Sequence, residues 1–289
     1  MAKKDKPGDA SRRERAAAIR DAQARKQRAI TLTIGSVTAV IVIVLGLIVA
    51  KSLQNAPKAD PSQTSGLASA SVVSALANVS SSEFDKVGVG SASNGPKKIS
   101  GGSAMTADGK PRVLYVGSEY CPYCAAERWG LVVALDRFGS FTNLGQTASS
   151  STDVDPNTNT LAFHGATYTS KYLSFTGYEQ QNRDQSKTLD TLSKDDQAIF
   201  DKLNSSGSIP FVDIGGIYVS SGASYDPGIL AGMTHDQIAQ AISDTSSDAG
   251  KGIIGTANLF TAAICGVTGG MPSNVCTSAG VTAAAAQLG

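Results

Sequence analysis

Two cysteines stand three positions apart in "YVGSEYCPYCAAERW" (115–129), where a strand-like run turns into a helix-like one. Cys121 and Cys124 at that spacing suit three chemistries: metal binding, a static disulfide, or electron exchange with other thiols. A structural zinc site normally needs four ligands, often as two such pairs. Here the other two cysteines, Cys265 and Cys276, are separated by ten residues, and His164 and His235 have no ligand spacing to each other. A c-type haem needs His directly after the second cysteine, and Ala125 is there. Two thiolates would suit Cu(I), but the methionines or histidines that usually surround such a site are missing.

Electron exchange has a mechanism in these residues. Cys121 would sit at the N-terminal end of a helix, where free N–H groups and the helix dipole favour a thiolate. Pro122 suits the first turn, where its missing N–H costs nothing. Cys124, one turn on, would be the more buried, resolving thiol. The Cys121 thiolate would attack a substrate disulfide, and Cys124 would release the product; run backwards, the cycle inserts a disulfide. Glu119 and Glu127 would oppose a thiolate if close, and Arg128 would compensate. A second element supports exchange. "SIPF" puts Pro210 at the start of a strand, and a cis Ile209–Pro210 bond facing the dithiol would leave the preceding backbone free to bind substrate as an added strand. Pro122, Tyr123, Ile209 and Pro210 would then line the substrate groove. An ordinary trans proline at a strand start is the plain alternative.

The elements that must hold these residues are legible in outline. "SVVSALANVSSSEF" (71–84) has near-helical spacing, 88–104 is a Gly- and Ser-rich loop, and "ADGKP" is a turn. "RVLYVGS" reads as a buried strand running straight into the cysteines, and "CAAERWGLVVALDRF" has the 3.6 period of a helix, with Gly139 as its C-cap. "FTNLGQ", "TLAFHG" and "ATYTSKYLSF" read as strands, and "SSSTDVDPNTN" as a polar loop. "SKDDQAIFDKLNSSG" is a capped helix ending at Gly207, and "SIPFVDIGGIYVSSG" a hairpin around Gly-Gly. "THDQIAQAISD" and "GIIGTANLFTAAICG" are helices. Together they make an α/β arrangement with a mixed sheet. Trp129, Phe138 and Tyr115 read as core, and His164 as a satisfied histidine.

The second cysteine pair, in "AAICGVTGGMPSNVC", encloses a Gly-Gly and a Pro that favour a tight reversal. A disulfide between Cys265 and Cys276 suits an oxidising exterior and would contribute about 3 kcal/mol. A second redox centre relaying electrons to the first pair is the alternative.

The whole chain frames these residues. Its 289 residues carry 25 Lys and Arg against 24 Asp and Glu. That near-neutrality hides an asymmetry: residues 1–28 hold ten basic and four acidic side chains, and the rest is net acidic. Ala29–Ala50, "AITLTIGSVTAVIVIVLGLIVA", is uncharged and long enough as a helix to span about 30 Å of hydrocarbon. A cleaved signal would have a shorter apolar run and a small-x-small site. The basic excess before the run puts the N-terminus in the cytoplasm and the remainder outside. The organisation expected is therefore a basic tail over 1–28, a transmembrane helix over 29–50, a flexible linker over 51–70 and an extracytoplasmic domain over 71–289. "RRERAAAIRDAQARKQR" would lie on anionic headgroups or serve only as a topology signal.

Several of these segments in order, "VLYVGSEYCPYCAAERWGLVVALDRFGSF", "STDVDPNTNTLAF", "ATYTSKYLSF", "GSIPFVDIGGIYV" and "TAAICGVTGGMPSNVC", resemble domain-of-unknown-function family 929 over roughly 70–280. The resemblance implies a thioredoxin-like fold, a mixed central sheet flanked by helices with an insertion, and a redox-type dicysteine at Cys121 and Cys124. It brings no known reaction. CPYC also occurs in glutaredoxins, but the long segment between helix and hairpin departs from their compact plan, so glutathione use is not carried over. The expected function is a membrane-anchored extracytoplasmic thiol–disulfide oxidoreductase acting on exported cysteine-containing proteins and reset by a membrane redox partner. It would touch lipid through the N-terminal helix, bind no nucleic acid and need no cofactor. The rival is a non-enzymatic envelope protein whose cysteine pairs are structural and whose thioredoxin-like domain is a binding module.

Overall fold

The chain alternates strand and helix around the cysteine pair, and a computed structural model describes residues 66–288. The expected tail, transmembrane helix and most of the linker lie outside the described residues. Within them the elements are β1 (Gly66–Leu67), α1 (Ala70–Ala77), α2 (Ser81–Val87), β2 (Lys97–Lys98), β3 (Thr106–Ala107), β4 (Lys110–Gly117) and α3 (Pro122–Asp136). β5 (Gly139–Thr142), β6 (Gly145–Ala148), β7 (Asn159–Ala162), β8 (Thr167–Ser170) and β9 (Ser174–Glu179) follow. Then come α4 (Lys194–Leu203), β10 (Phe211–Ile214), β11 (Tyr218–Ser221), a 3-10 turn (Pro227–Leu230), α5 (His235–Ile242), α6 (Asp248–Val267), α7 (Ser273–Cys276) and α8 (Ala279–Ala285).

The central sheet is mixed, in the order β2-β11-β10-β4-β3, with β9 also pairing β4. β9 runs parallel to β4, and β10 antiparallel to it. The apolar run of β4 follows from cover on both faces. Val113 and Tyr115 enter the larger core with Trp129 of α3 and Phe260 of α6. Leu114 and Val116 enter a smaller core with Phe200 of α4 and Phe211 of β10. α6 is the one described helix long and apolar enough to cross a membrane, and 83% of its apolar window is buried inside the domain. It is a core helix here.

Local chemistry fixes several ends. Ser193 caps α4 through Asp196 N–H, and Thr234 caps α5 in a reciprocal box with Gln237. The β10–β11 hairpin turns at Gly215 and Gly216, both with positive φ (64° and 69°) that favours glycine.

Four expectations are corrected. The helix expected over 71–84 is two helices, because Asn78 caps the first and the Ser80–Glu83 capping box starts the second. Gly139 is not the C-cap of α3, which Arg137 closes in the αR region. Gly139 instead opens β5, where a Cβ would meet Thr169 O at 2.3 Å, so its role is close approach of strands. α4 ends at Leu203 with Asn204 as its cap, and Gly207 sits three residues further on. "FTNLGQ" and "ATYTSKYLSF" each split: β5 and β6 part around Asn143 at φ 56°, and β8 ends before β9 begins at Ser174. β6 pairs with β7 and β1, and β5 with β8, so the strands between α3 and β9 form two small sheets apart from the central one.

Candidate functional site

β4 ends at Gly117, and Ser118–Tyr120 carries the chain from the sheet to α3. Three backbone bonds fix that short loop. Cys121 N donates to Ser118 O (3.3 Å), Glu119 N to Gln181 O (3.0 Å), and Ser150 N to Tyr120 O (2.8 Å). Cys121 then takes the extended geometry of an N-cap, and its sulfur accepts from Cys124 N at 3.3 Å. A sulfur replaces the usual capping oxygen and meets the free N–H groups of the first turn. Pro122 occupies the first helical position, buried, and Tyr123 beside it is 45% exposed.

The two thiols are free and differ in setting. Cys121 keeps 5% of its surface and Cys124 none. The hydrogen bond between them lowers the Cys121 thiol below its ordinary range against the cost of burial, with help from Cys124 N–H and the Arg128 charge. Burial first, and then the proton shared with Cys121, push Cys124 well up. Cys121, at the surface edge, is therefore the thiol that ionises more readily, and Cys124, fully buried, the one that ionises less readily.

The Ile209–Pro210 bond is cis, and Ile209 O lies 3.8 Å from Cys121 Sγ. Pro210 is buried just before β10, while Ile209 is half-buried at the surface. The structure thus brings Cys121, Cys124, Pro122, Tyr123, Ile209 and Pro210 together where β4 ends and β10 begins, in the middle of the sheet. Cys265 and Cys276 lie elsewhere and are bonded to each other, with Cα atoms 5.6 Å apart. Tyr115, Trp129 and Phe138 are core, and His164 pairs with Asp190 at 2.8 Å on the surface.

Of the charged neighbours, Glu127 turns away and accepts from Ser224 N at 2.7 Å. Glu119 lies beside Thr147 and the Arg183 backbone, and burial raises its carboxyl. Arg128 is fully buried and forks onto Glu179 (2.8 and 2.6 Å) while also donating to Ser118 O (2.6 Å). Glu179 was invisible in the sequence pattern. It reaches the site only because the last residue pair of the parallel ladder is Gly117 with Glu179. Among the described residues no group of three or more His, Cys, Asp or Glu converges to hold a metal.

Comparison with known proteins gives one family. Residues 96–206 and 198–266, together more than half of the chain, match the family described as domain of unknown function (DUF929). The chain belongs to that family. No curated protein matches it, and no solved structure matches it.

Proposed function

We propose that this protein is a thiol–disulfide oxidoreductase of thioredoxin-like fold, held to the cytoplasmic membrane by residues 29–50 and working outside it. The observation that carries the reading is the setting of Cys121. Its sulfur caps a helix N-terminus, stands 3.8 Å from the backbone oxygen before a cis proline, and touches a second, fully buried thiol. A nucleophile at the surface edge with a resolving thiol behind it suits exchange. Support for the thioredoxin-like fold is topological: the order β4, α3, β9, α4, β10, β11, α6, with β9 parallel and β10 antiparallel to β4, and with α3 and α6 against one face of the sheet and α4 against the other. Support for the membrane anchor is the uncharged run Ala29–Ala50 after a basic segment.

In one direction the Cys121 thiolate attacks a substrate disulfide and forms a mixed disulfide, and one substrate sulfur leaves. Cys124 then attacks Cys121 Sγ, which closes the internal disulfide and frees the second substrate sulfur. The substrate gains two electrons and the dithiol loses two. Exported cysteine-containing proteins are the proposed substrates, and a membrane redox partner restores the starting state.

Trapping tests the reading. Full-length Cys124→Ser should accumulate a mixed disulfide at Cys121 when mixed with a small disulfide, and Cys121→Ser should form none. A wild-type pair that stays oxidised at potentials below about −300 mV would instead be a structural disulfide, and the binding-module reading would replace this one.

A further inference from the structure

α3 places Arg128 four residues after Cys124 and seven after Cys121, on the face of the helix that carries both thiols. No other ion pair among the described residues is fully buried at both ends. Its position is tied to the nucleophile through a shared acceptor, because Ser118 O takes a bond from Arg128 (2.6 Å) and one from Cys121 N (3.3 Å). The guanidinium carbon lies 5.9 Å from the centre of the Tyr115 ring. Its Nη1 and the Tyr115 hydroxyl are both buried without a hydrogen-bond partner. That hydroxyl lies over Gly117, where a Cβ would come within 2.2 Å of it, so the phenol points along β4 toward the dithiol.

A buried ion pair costs more in desolvation than a well-packed apolar pair and is weak evidence for stability. Its placement behind two thiols gives it another use. We propose that the Arg128–Glu179 pair sets the redox poise of the dithiol: Arg128 is the cation that favours the Cys121 thiolate, and Glu179 limits how strongly it does so. This rests on the oxidoreductase reading and adds the residues that tune it. The arrangement has the right sign. Arg128 shares α3 with the thiols and its charge acts on both of them, whereas Glu179 sits on β9. Burial in a low-dielectric interior keeps that charge from being screened. The other groups facing the pair are Tyr115, Glu119 and the Asp190 carboxylate, which accepts from Glu179 N at 3.0 Å. Glu119 feels the Arg128 charge, and neither acid accepts a hydrogen bond from Arg128.

A cation beside the thiols stabilises the reduced, thiolate form and makes the disulfide more oxidising. Glu179→Gln keeps an acceptor oxygen for Arg128 but removes the countercharge. The double variant Arg128→Gln/Glu179→Gln removes both charges, leaves no buried ion unpaired, and keeps the readout should the single variant fail to fold. Equilibration of the full chain with glutathione buffers, followed by differential alkylation and mass spectrometry, reads Cys121 and Cys124 apart from Cys265 and Cys276. The Glu179→Gln equilibrium should move about tenfold toward the dithiol, which corresponds to about 30 mV. The double variant should move several-fold the other way. Cys121 alkylation rates should rank in the same order, which a merely structural pair would not cause. Equal potentials in the variants that fold overturn the role of the ion pair. A wild-type pair that does not equilibrate at all removes the oxidoreductase reading itself.

Discussion

Glu127 is a buried acid whose contribution to folding depends on pH. Its Oε2 accepts from Ser224 N (2.7 Å), and its Oε1 lies 2.8 Å from Ser224 Oγ. That hydroxyl donates to Glu127 Oε1 and also reaches Asn94 O at 3.1 Å. Burial pushes this carboxyl from 4.5 up to about 7, against the two bonds it accepts from Ser224. A raised acid ionises first in the unfolded chain. Its contribution to folding is intact below about pH 4.5 and is lost as pH climbs to about 7, a total of about 3 kcal/mol. Glu127→Gln keeps the acceptor for Ser224 N and offers an N–H to the hydroxyl without any ionisation. Urea unfolding of the full chain should give variant and wild type equal stability near pH 4. The variant should be more stable by about 2–3 kcal/mol near pH 8. A difference that does not change with pH would mean that Glu127 is charged in the fold.

At the scale of elements, α3 is the piece that carries the chemistry, and its seat against α6 depends on Gly130. A Cβ there would meet Thr256 Cγ2 at 2.4 Å and Cβ at 2.6 Å. Thr256 is β-branched and fully buried, so it has little freedom to yield. Alanine gains about 1 kcal/mol of helix propensity over glycine, whereas overpacking a tight core costs about 1–3 kcal/mol. With a backbone-close contact and a stiff neighbour the cost lies in the upper part of that range, so Gly130→Ala should lower the urea midpoint by an amount worth up to about 2 kcal/mol. An unchanged or higher midpoint would mean that the helices separate freely. The elements that the sequence makes legible are those with local causes: β4 with its unbroken apolar run, α3 behind Pro122, the Gly215–Gly216 hairpin, and the capped helix that starts at Ser193. β9 was blurred because Lys171–Leu173 breaks the run and its partner β4 lies some sixty residues back. The site divided in the same way. Cys121, Cys124 and Pro210 are conspicuous as residue types, while the Arg128–Glu179 pair exists only through a parallel register that no local pattern encodes.

At the scale of the molecule the question is whether the two cysteine pairs can exchange electrons. α3 and α6 lie side by side in the same sense, since Gly130 packs on Thr256 and Arg137 reaches Asn258 (3.2 Å) and Thr261 (3.4 Å). Cys121 precedes the first turn of α3, and Cys265 lies in the last turn of α6. Counting about 1.5 Å of rise per residue along both helices puts the pairs on the order of 25 Å apart. Thiol exchange requires sulfur to contact sulfur, so no direct relay runs between them within one folded domain. What Cys265–Cys276 does instead follows from where it closes: it ties the end of α6 to α7, across a separation of 11 residues. A loop that short contributes about 3 kcal/mol, chiefly by restricting the unfolded chain. Cys265→Ser/Cys276→Ser in the full chain should therefore lower stability by about 2–3 kcal/mol and leave the Cys121–Cys124 potential where it was. Two measurements on one variant separate the roles. A midpoint that falls while the potential holds identifies a staple, whereas a potential that moves with the fold intact would require the pairs to meet, in another conformation or between two copies of the chain.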